Sequence, residues 1–186
     1  MIDMTTSVPP APIQAYDPLT RALHWATAGI VLLQFAMGET WSWFGAGWKG
    51  TARDIHTSIG FAFAVLLLFR LYWLCARRRR TTAGPADNRL AILVHLALYA
   101  LLVAETMAGF EWRWSGTRPL FVFGAHLTCV PCRLDKTGHH IVATLHNYGA
   151  WTIMALALGH AAVALWRHYV RRDGILGRML PTTRQA

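Results

Sequence analysis

The sequence predicts an all-α integral membrane protein, a four-helix bundle with both termini in the cytoplasm. Hydrophobic residues make up 54% of the 186 residues and charged residues only 15%, whereas charged residues are about a quarter of an ordinary soluble domain. Four segments are each apolar over the roughly 20 residues needed to cross a bilayer. Because the links between them are short, we expect a single domain over residues 1–186.

The four predicted helices follow one another along the chain. The second is interrupted by Arg70, and the third contains Glu105. The start of the chain lacks the basic region and small-residue cleavage site of a signal peptide, so the first apolar segment is expected to remain as a helix. The predicted helices cover about 19–44, 55–76, 90–110 and 141–168.

Positive charge is concentrated at two places in the chain. The formal net charge is +9, which alone suggests a nucleic-acid partner, but the apolar segments between the charged ones argue against nucleic acid. Arginines are densest in the link between the second and third helices and in the C-terminal tail, and cytoplasmic loops carry such an excess. Both termini are therefore expected in the cytoplasm. These arginines are Arg77, Arg78, Arg79, Arg80, Arg89, Arg167, Arg171, Arg172, Arg178 and Arg184.

Six histidines fall inside the predicted helices, where an ionisable residue is by default a functional hypothesis, and four of them are interpreted as two pairs. His146 and His160 are 14 residues apart, which is about 21 Å of helix rise and places them on one face. This predicts an outer pair, His56 with His146, and an inner pair, His24 with His160. Two facing imidazoles suit the axial ligands of a haem iron, whereas zinc takes three or four clustered ligands.

Two further residues lie on the same face of the second helix. Gly60 follows His56 by four residues and can let a porphyrin lie against the backbone, although glycine is also common at ordinary membrane-helix contacts. Arg70 follows His56 by 14 residues and lies at the depth of the inner pair. It can neutralise a haem propionate or reach toward the inner headgroups.

Taken together, these residues resemble the bacterial cytochrome b561 family from about Tyr16 to Pro181. The resemblance implies two b-type haems, electron exchange with ubiquinone, and a multi-pass protein of the bacterial inner membrane. It also implies His24, His56, His146 and His160 as the axial ligands. The matching residues are Leu23, His24, Trp25, His56, Gly60, Arg70, Leu71, His95, Leu98, Tyr99, Gly109, His146, His160, His168 and the run from Arg172 to Pro181.

The remaining histidines have two interpretations each. His95 lies level with the inner pair and can compete as a ligand, but we favour a hydrogen bond to a propionate or a neighbouring helix. His168 is expected at the inner membrane boundary, where an imidazole can pass protons to a quinone or simply be solvated. Three histidines in the outer loop are expected at the surface. They are His126, His139 and His140.

Some features depart from the family pattern. The family often has a proline shortly before the glycine that ends the third helix, but Gly109 follows Thr106, Met107 and Ala108 here, and Glu105 is not a family feature. Cys129 and Cys132 form a C-x-x-C without the histidine of a haem c site; a disulfide is favoured over a zinc or iron–sulfur site with His126. Cys75 is interpreted as an inert small hydrophobe.

The favoured function is electron transfer through two haems between quinone and an outer partner, in contact with membrane lipid. The outer partner is superoxide or a periplasmic electron donor. One branch of the family implies a superoxide oxidase, which oxidises superoxide and reduces ubiquinone. Six basic and four acidic residues leave +2 on the outer links, a modest field to steer that anion. The chain can also be the haem-bearing anchor of a larger dehydrogenase or hydrogenase, or a metal transporter.

Overall fold

A computed structural model describes residues 15–43, 45–78, 89–116, 120–127 and 134–180 of the chain. Four long helices dominate it, which confirms the predicted all-α class. A 3-10 turn follows the first helix at Trp41–Trp43, a π-helical turn continues the fourth at Arg167–Arg171, and a 3-10 turn lies at Leu176–Arg178. The helices are α1 (Pro18–Thr40), α2 (Ala46–Arg78), α3 (Arg89–Trp114) and α4 (Lys136–Trp166).

Side-chain caps set the beginning of two helices. The carboxylate of Asp17 accepts a hydrogen bond from the backbone N–H of Thr20 at 2.8 Å, and Pro18 occupies the first turn, where its missing N–H costs nothing. Asp135 accepts from the backbone N–H of Gly138 at 2.8 Å in the same way. Each cap satisfies a donor that the first helical turn leaves without a partner.

The helix bounds differ from those expected from hydropathy. α1 ends at Thr40, before the expected 44, while α2 begins at Ala46 instead of 55. α2 has 33 residues, or about 50 Å at 1.5 Å per residue, so it extends beyond a hydrocarbon core of about 30 Å. Its first turns contain Lys49 and Arg53, and hydropathy does not register such polar turns. His56 therefore lies within α2, not at its start.

The exterior of the bundle is apolar. Three of the long helices, α2, α3 and α4, are long and apolar enough to cross a membrane. α1 is 23 residues long but is not among them, since it carries polar residues such as Arg21, His24 and Gln34. Leucines such as Leu68 and Leu96 are largely exposed, which a soluble monomer rarely tolerates over contiguous patches. This exterior is suited to lipid.

The buried core is small and lies at mid-height between the helices. It consists of Phe63 and Leu67 from α2, Leu102 from α3 and Ile153 from α4. α3 packs mainly on α4, and α1 on α2. Because the four core side chains separate the two ends of the bundle, the polar side chains inside it form two groups, which are named outer and inner after the orientation expected from the sequence.

A short hairpin that the sequence analysis did not predict lies between α3 and α4. Its strands, β1 (Leu120–Val122) and β2 (Ala125–Leu127), pair antiparallel. Phe123 and Gly124 both have positive φ, 49° and 80°, as a two-residue hairpin turn requires. The N–H of Phe123 donates to Oγ of Ser58 in α2 at 3.0 Å. Cys129 and Cys132 lie outside the described residues, so their predicted disulfide does too.

The C-terminal segment packs against the beginning of α1. The N–H of Tyr16 donates to the carbonyl of Arg178 at 3.1 Å, and Nε1 of Trp25 donates to the carbonyl of Met179 at 2.9 Å. The described ends of the chain therefore lie on the same side of the bundle.

Candidate functional site

The outer histidine pair joins α2 to α4. The rings of His56 and His146 have centroids 6.3 Å apart and nearly perpendicular planes, at 89°. An imidazole–metal bond of about 2 Å on each side, added to half the width of each ring, gives roughly 6 Å between ring centres. The observed separation therefore fits an iron held between the two rings.

The outer pair lines a cavity of about 760 Å³, within the range of about 300–1,000 Å³ typical of ligand pockets. Gly60, Phe63 and Gly109 also line it. Nδ1 of His56 is buried and has no hydrogen-bond partner among the described residues. An unpartnered ring nitrogen beside a large cavity is consistent with a bound group that the chain alone does not supply.

Glu105 of α3 is the closest ionic neighbour of the outer pair. Its Oε1 lies 3.0 Å from Nδ1 of His146, and both side chains are mostly buried. Gly109, one helical turn further along α3, leaves the space for the ring, because a Cβ there would lie 2.9 Å from Cε1 of His146. Sequence reasoning noted Glu105 but gave it no role. Its charge within an apolar helix could have marked it as a functional candidate, because an ionisable residue is costly there.

The inner pair joins α1 to α4. The ring centroids of His24 and His160 are 6.5 Å apart, again close to the spacing expected across a metal ion. His95 of α3 lies closer to His160, at 5.0 Å, and its Nδ1 lies 2.6 Å from the carbonyl of Ala91. Since 5.0 Å is short for two rings with an iron between them, the geometry favours His24 over His95 as the partner of His160.

Arg70 lies inside the bundle beside the inner pair. Its Nε donates to the hydroxyl of Tyr99 at 2.9 Å and its Nη1 to the carbonyl of Leu23 at 3.2 Å. Nη2 lies 3.4 Å from Nδ1 of His24. These contacts direct the guanidinium toward the inner pair and away from the lipid headgroups.

Gly60 makes room for a side chain from α1. A Cβ at Gly60 would lie 3.1 Å from Nε2 of Gln34, and that amide donates to the carbonyl of His56 at 2.9 Å. Gly60 thus allows α1 to reach the backbone of the residue that carries the outer imidazole. Sequence reasoning missed Gln34, because a single glutamine in a helix gives no distinctive signal.

His168 lies in the π-helical turn that continues α4. Its Nδ1 is buried without a hydrogen-bond partner among the described residues, and its ring contacts Tyr169 at a centroid distance of 4.9 Å. π-helical turns are often found at functional sites.

Of the three histidines expected in the outer loop, His126 lies in the hairpin. His139 and His140 instead lie in the first turns of α4, because that helix begins at Lys136 and not at 141. His126 and His140 are exposed as expected, whereas His139 is half-buried, with its Nδ1 3.0 Å from Oγ of Ser115.

Comparison with known proteins gives a consistent result. The family described as prokaryotic cytochrome b561 matches residues 15–182. "Cytochrome b561 homolog 2" of Escherichia coli (strain K12) is 33% identical over 90% of this chain and 92% of the relative. "Cytochrome b562" of Cereibacter sphaeroides is 29% identical over 89% and 94%. "Probable superoxide oxidase CybB" of Yersinia pestis is 25% identical over 91% and 97%.

The family match covers nearly the whole described chain and confirms the resemblance read from the sequence. Helices long enough to span a membrane and facing imidazoles inside the bundle are what a membrane haem protein requires. The chain therefore belongs to the prokaryotic cytochrome b561 family, as a haem b protein of the inner membrane that transfers electrons in contact with lipid and quinone.

Proposed function

We propose that the chain binds two haem b groups and carries electrons across the membrane between ubiquinone and a partner at the outer face. The observation that carries this proposal is the repeated geometry of the two histidine pairs, with ring centroids 6.3 and 6.5 Å apart. His56 and His146 are the proposed ligands of the outer haem, and His24 and His160 those of the inner haem. The two sites share α4, about 21 Å apart along its axis.

The protein residues hold and orient these groups. Haem, when bound, supplies one-electron redox chemistry that the side chains lack. Three different helices contribute the four imidazoles, so the packing of the bundle sets their spacing. Arg70 is the proposed partner of a propionate at the inner site, because its guanidinium already points there. Gly60 gives α1 access to the backbone at the outer site.

The proposed quinone site lies at the inner membrane boundary. Nδ1 of His168 is buried and has no hydrogen-bond partner among the described residues, so it can donate to or accept from a quinone oxygen. His95 of α3 lies beside the inner pair, 5.0 Å from the ring of His160. We assign these two imidazoles to proton exchange with ubiquinone, since an imidazole nitrogen can donate or accept a proton.

The main test is a reduced-minus-oxidised spectrum of the purified protein combined with a haem count per chain. The proposal expects two b-type haems per chain and their reoxidation by ubiquinone. A haem-supplemented preparation with one haem, or none, would contradict it. A metal transporter should be colourless, and an anchor subunit should copurify with a large partner.

A second candidate function is oxidation of superoxide. Arg53 and Arg113 line the outer cavity and can attract an anion, and one relative carries the name of a probable superoxide oxidase. Superoxide would give one electron to the outer site and leave as dioxygen; two such electrons and two protons would reduce ubiquinone to ubiquinol.

The two candidates differ in their response to enzymatically generated superoxide. Rapid haem reduction that superoxide dismutase abolishes, and that slows at high ionic strength, supports the oxidase. Neutralising Arg113 should slow it as well. Reduction that dismutase does not alter leaves the quinone-linked carrier with a periplasmic donor.

A further inference from the structure

A carboxylate lies beside the outer histidine pair, and the residues around it keep it there. Oε1 of Glu105 is 3.0 Å from Nδ1 of His146, with 16% of the glutamate side chain and 20% of the histidine side chain exposed. The carbonyl oxygen of Glu105 is also 3.3 Å from the same nitrogen. One residue of α3 thus provides two acceptors to one imidazole of α4.

Two glycines permit this arrangement. A Cβ at Gly149, one turn after His146, would overlap the carboxylate of Glu105. A Cβ at Gly109, one turn after Glu105, would overlap the ring of His146 at 2.9 Å. Gly109 of α3 thus leaves space for the ring of His146, and Gly149 of α4 leaves space for the carboxylate of Glu105. The contact between Glu105 and His146 therefore depends on how the two helices pack.

The contact with Glu105 determines which ring nitrogen of His146 can face a group bound in the outer cavity. If Nδ1 donates its hydrogen to the carboxylate, the lone pair of Nε2 is available for a metal, and the acceptor makes the imidazole a stronger base. Among the described residues, His56 has no ion-pair contact with a carboxylate like the one that His146 makes. The two outer imidazoles are therefore unequal, and His146 is the one whose orientation and basicity the protein controls.

We infer that Glu105 is a positioning residue for His146 and that it lowers the reduction potential of the outer haem. This rests on the proposed function, because it takes His146 as an axial ligand. A nearby negative charge and a more basic ligand both stabilise the more positive, oxidised iron. In a mostly buried site this charge is screened less than it is in water.

Two cations also line the outer cavity, Arg53 and Arg113, and each has its own partner. Arg113 pairs with Asp54 at 3.6 Å, and Arg53 lies over the ring of Trp41 at 6.0 Å. At the inner pair the neighbour is instead a cation, Arg70. The charges in direct contact with the two pairs, Glu105 at the outer pair and Arg70 at the inner pair, therefore both favour electron transfer from the outer haem to the inner one.

The test is a redox titration of the two-haem protein, with the Glu105→Gln variant as the main comparison. Glutamine keeps the size and an acceptor oxygen but removes the charge. We expect the oxidised-to-reduced ratio of the outer haem at a fixed potential to fall by about tenfold or more, which is 59 mV for a one-electron couple. The inner haem should be unchanged, and the low-spin electron paramagnetic resonance signal of the outer haem should shift.

Two further variants make the test specific. Glu111→Gln removes the same charge from α3 at a position with no described contact to a histidine, and should leave both potentials unchanged. Gly149→Ala should displace the Glu105 carboxylate and raise the outer potential in the same direction. Gly149→Ala and Glu105→Gln both disrupt the same contact, between Glu105 and His146. The double variant should therefore shift the outer potential no further than Glu105→Gln alone.

The outcomes separate the two proposals. One outcome is a protein that binds two haems while Glu105→Gln leaves the outer potential unchanged, or shifts it no more than Glu111→Gln does. That result would leave the proposed function standing but overturn the role of Glu105. Additive shifts in the double variant would also overturn it. A wild-type protein that binds fewer than two haems would instead overturn the proposed function.

Discussion

Single residues decide how closely the helices approach the histidines. At Gly109 the missing side chain is the space that the ring of His146 fills, whereas Gly29 has no heavy atom within 4 Å of an added Cβ. Identical substitutions at these two positions should therefore have different effects. The difference arises because only one of the two glycines faces another helix.

The histidine pairing gives the first residue-scale prediction. His56→Ala or His146→Ala should lose the outer haem and keep the inner one, because one axial ligand alone holds iron weakly. His24→Ala or His160→Ala should do the reverse, as measured by haem per chain and by redox titration. His95→Ala is the control and should keep two haems. Loss of the same haem in His56→Ala and His160→Ala would contradict the pairing.

The glycines give the second prediction. Gly109→Ala should reduce outer-haem occupancy, since the new methyl group forces the ring of His146 out of line with His56. Gly29→Ala makes the same chemical change in α1 and should retain two haems per chain. If both variants bound two haems with wild-type spectra, the close approach of α3 to His146 would not constrain the ligand.

At the scale of the helix, the cap of α1 depends on Asp17. Its burial raises the pKa, but hydrogen bonds from Thr20 and the charge of Arg77, 3.3 Å away, lower the pKa below its ordinary value of 3.8 overall. The cap therefore contributes stability above that ordinary value. The contribution is lost as the pH falls through the lowered pKa of the folded state and the carboxylate takes up a proton.

Asp17→Ala should destabilise the protein by about 1 kcal/mol, the usual effect of removing an N-cap. Asp17→Asn should retain most of that stability, since asparagine also caps well, but should lose the part of the acid dependence due to this carboxylate. Denaturant unfolding in detergent micelles at pH 7 and near pH 3 measures both effects. Equal stability of the alanine variant and the wild type at pH 7 would contradict the cap's role.

At the scale of the whole molecule, packing and charge together determine the topology. The hydrogen bonds of Tyr16 and Trp25 with the C-terminal segment place the two described ends on one side of the bundle. We propose that this side is cytoplasmic, because the basic residues of the tail and of the link between α2 and α3 follow the positive-inside rule.

The topology predicts the behaviour of reporter fusions. A green fluorescent protein fused to the C terminus should fluoresce, whereas an alkaline phosphatase fused at the same place should be inactive. A phosphatase inserted in the link between α1 and α2 is the control and should be active. An active C-terminal phosphatase would invert the proposed orientation and exchange the outer and inner sites.

Hydropathy and histidine spacing predicted much of this protein from sequence alone. Apolar runs indicate helices in a membrane because the bilayer requires internally bonded backbone, and α4 places His146 and His160 on one face because helix geometry is regular. The family resemblance followed from the same residues. Helix ends were predicted poorly, since the polar first turns of α2 lie beyond the apolar run.

Tertiary structure decided what lies beside each imidazole. The approach of Glu105 to His146, of Gln34 to the backbone of His56, and of Arg70 to His24 each depends on how one helix is rotated against its neighbour. No periodicity within a single helix encodes that rotation. It is set by glycines and core side chains that are far apart in sequence, and for that reason only the folded chain shows a negative charge at the outer pair and a positive one at the inner pair.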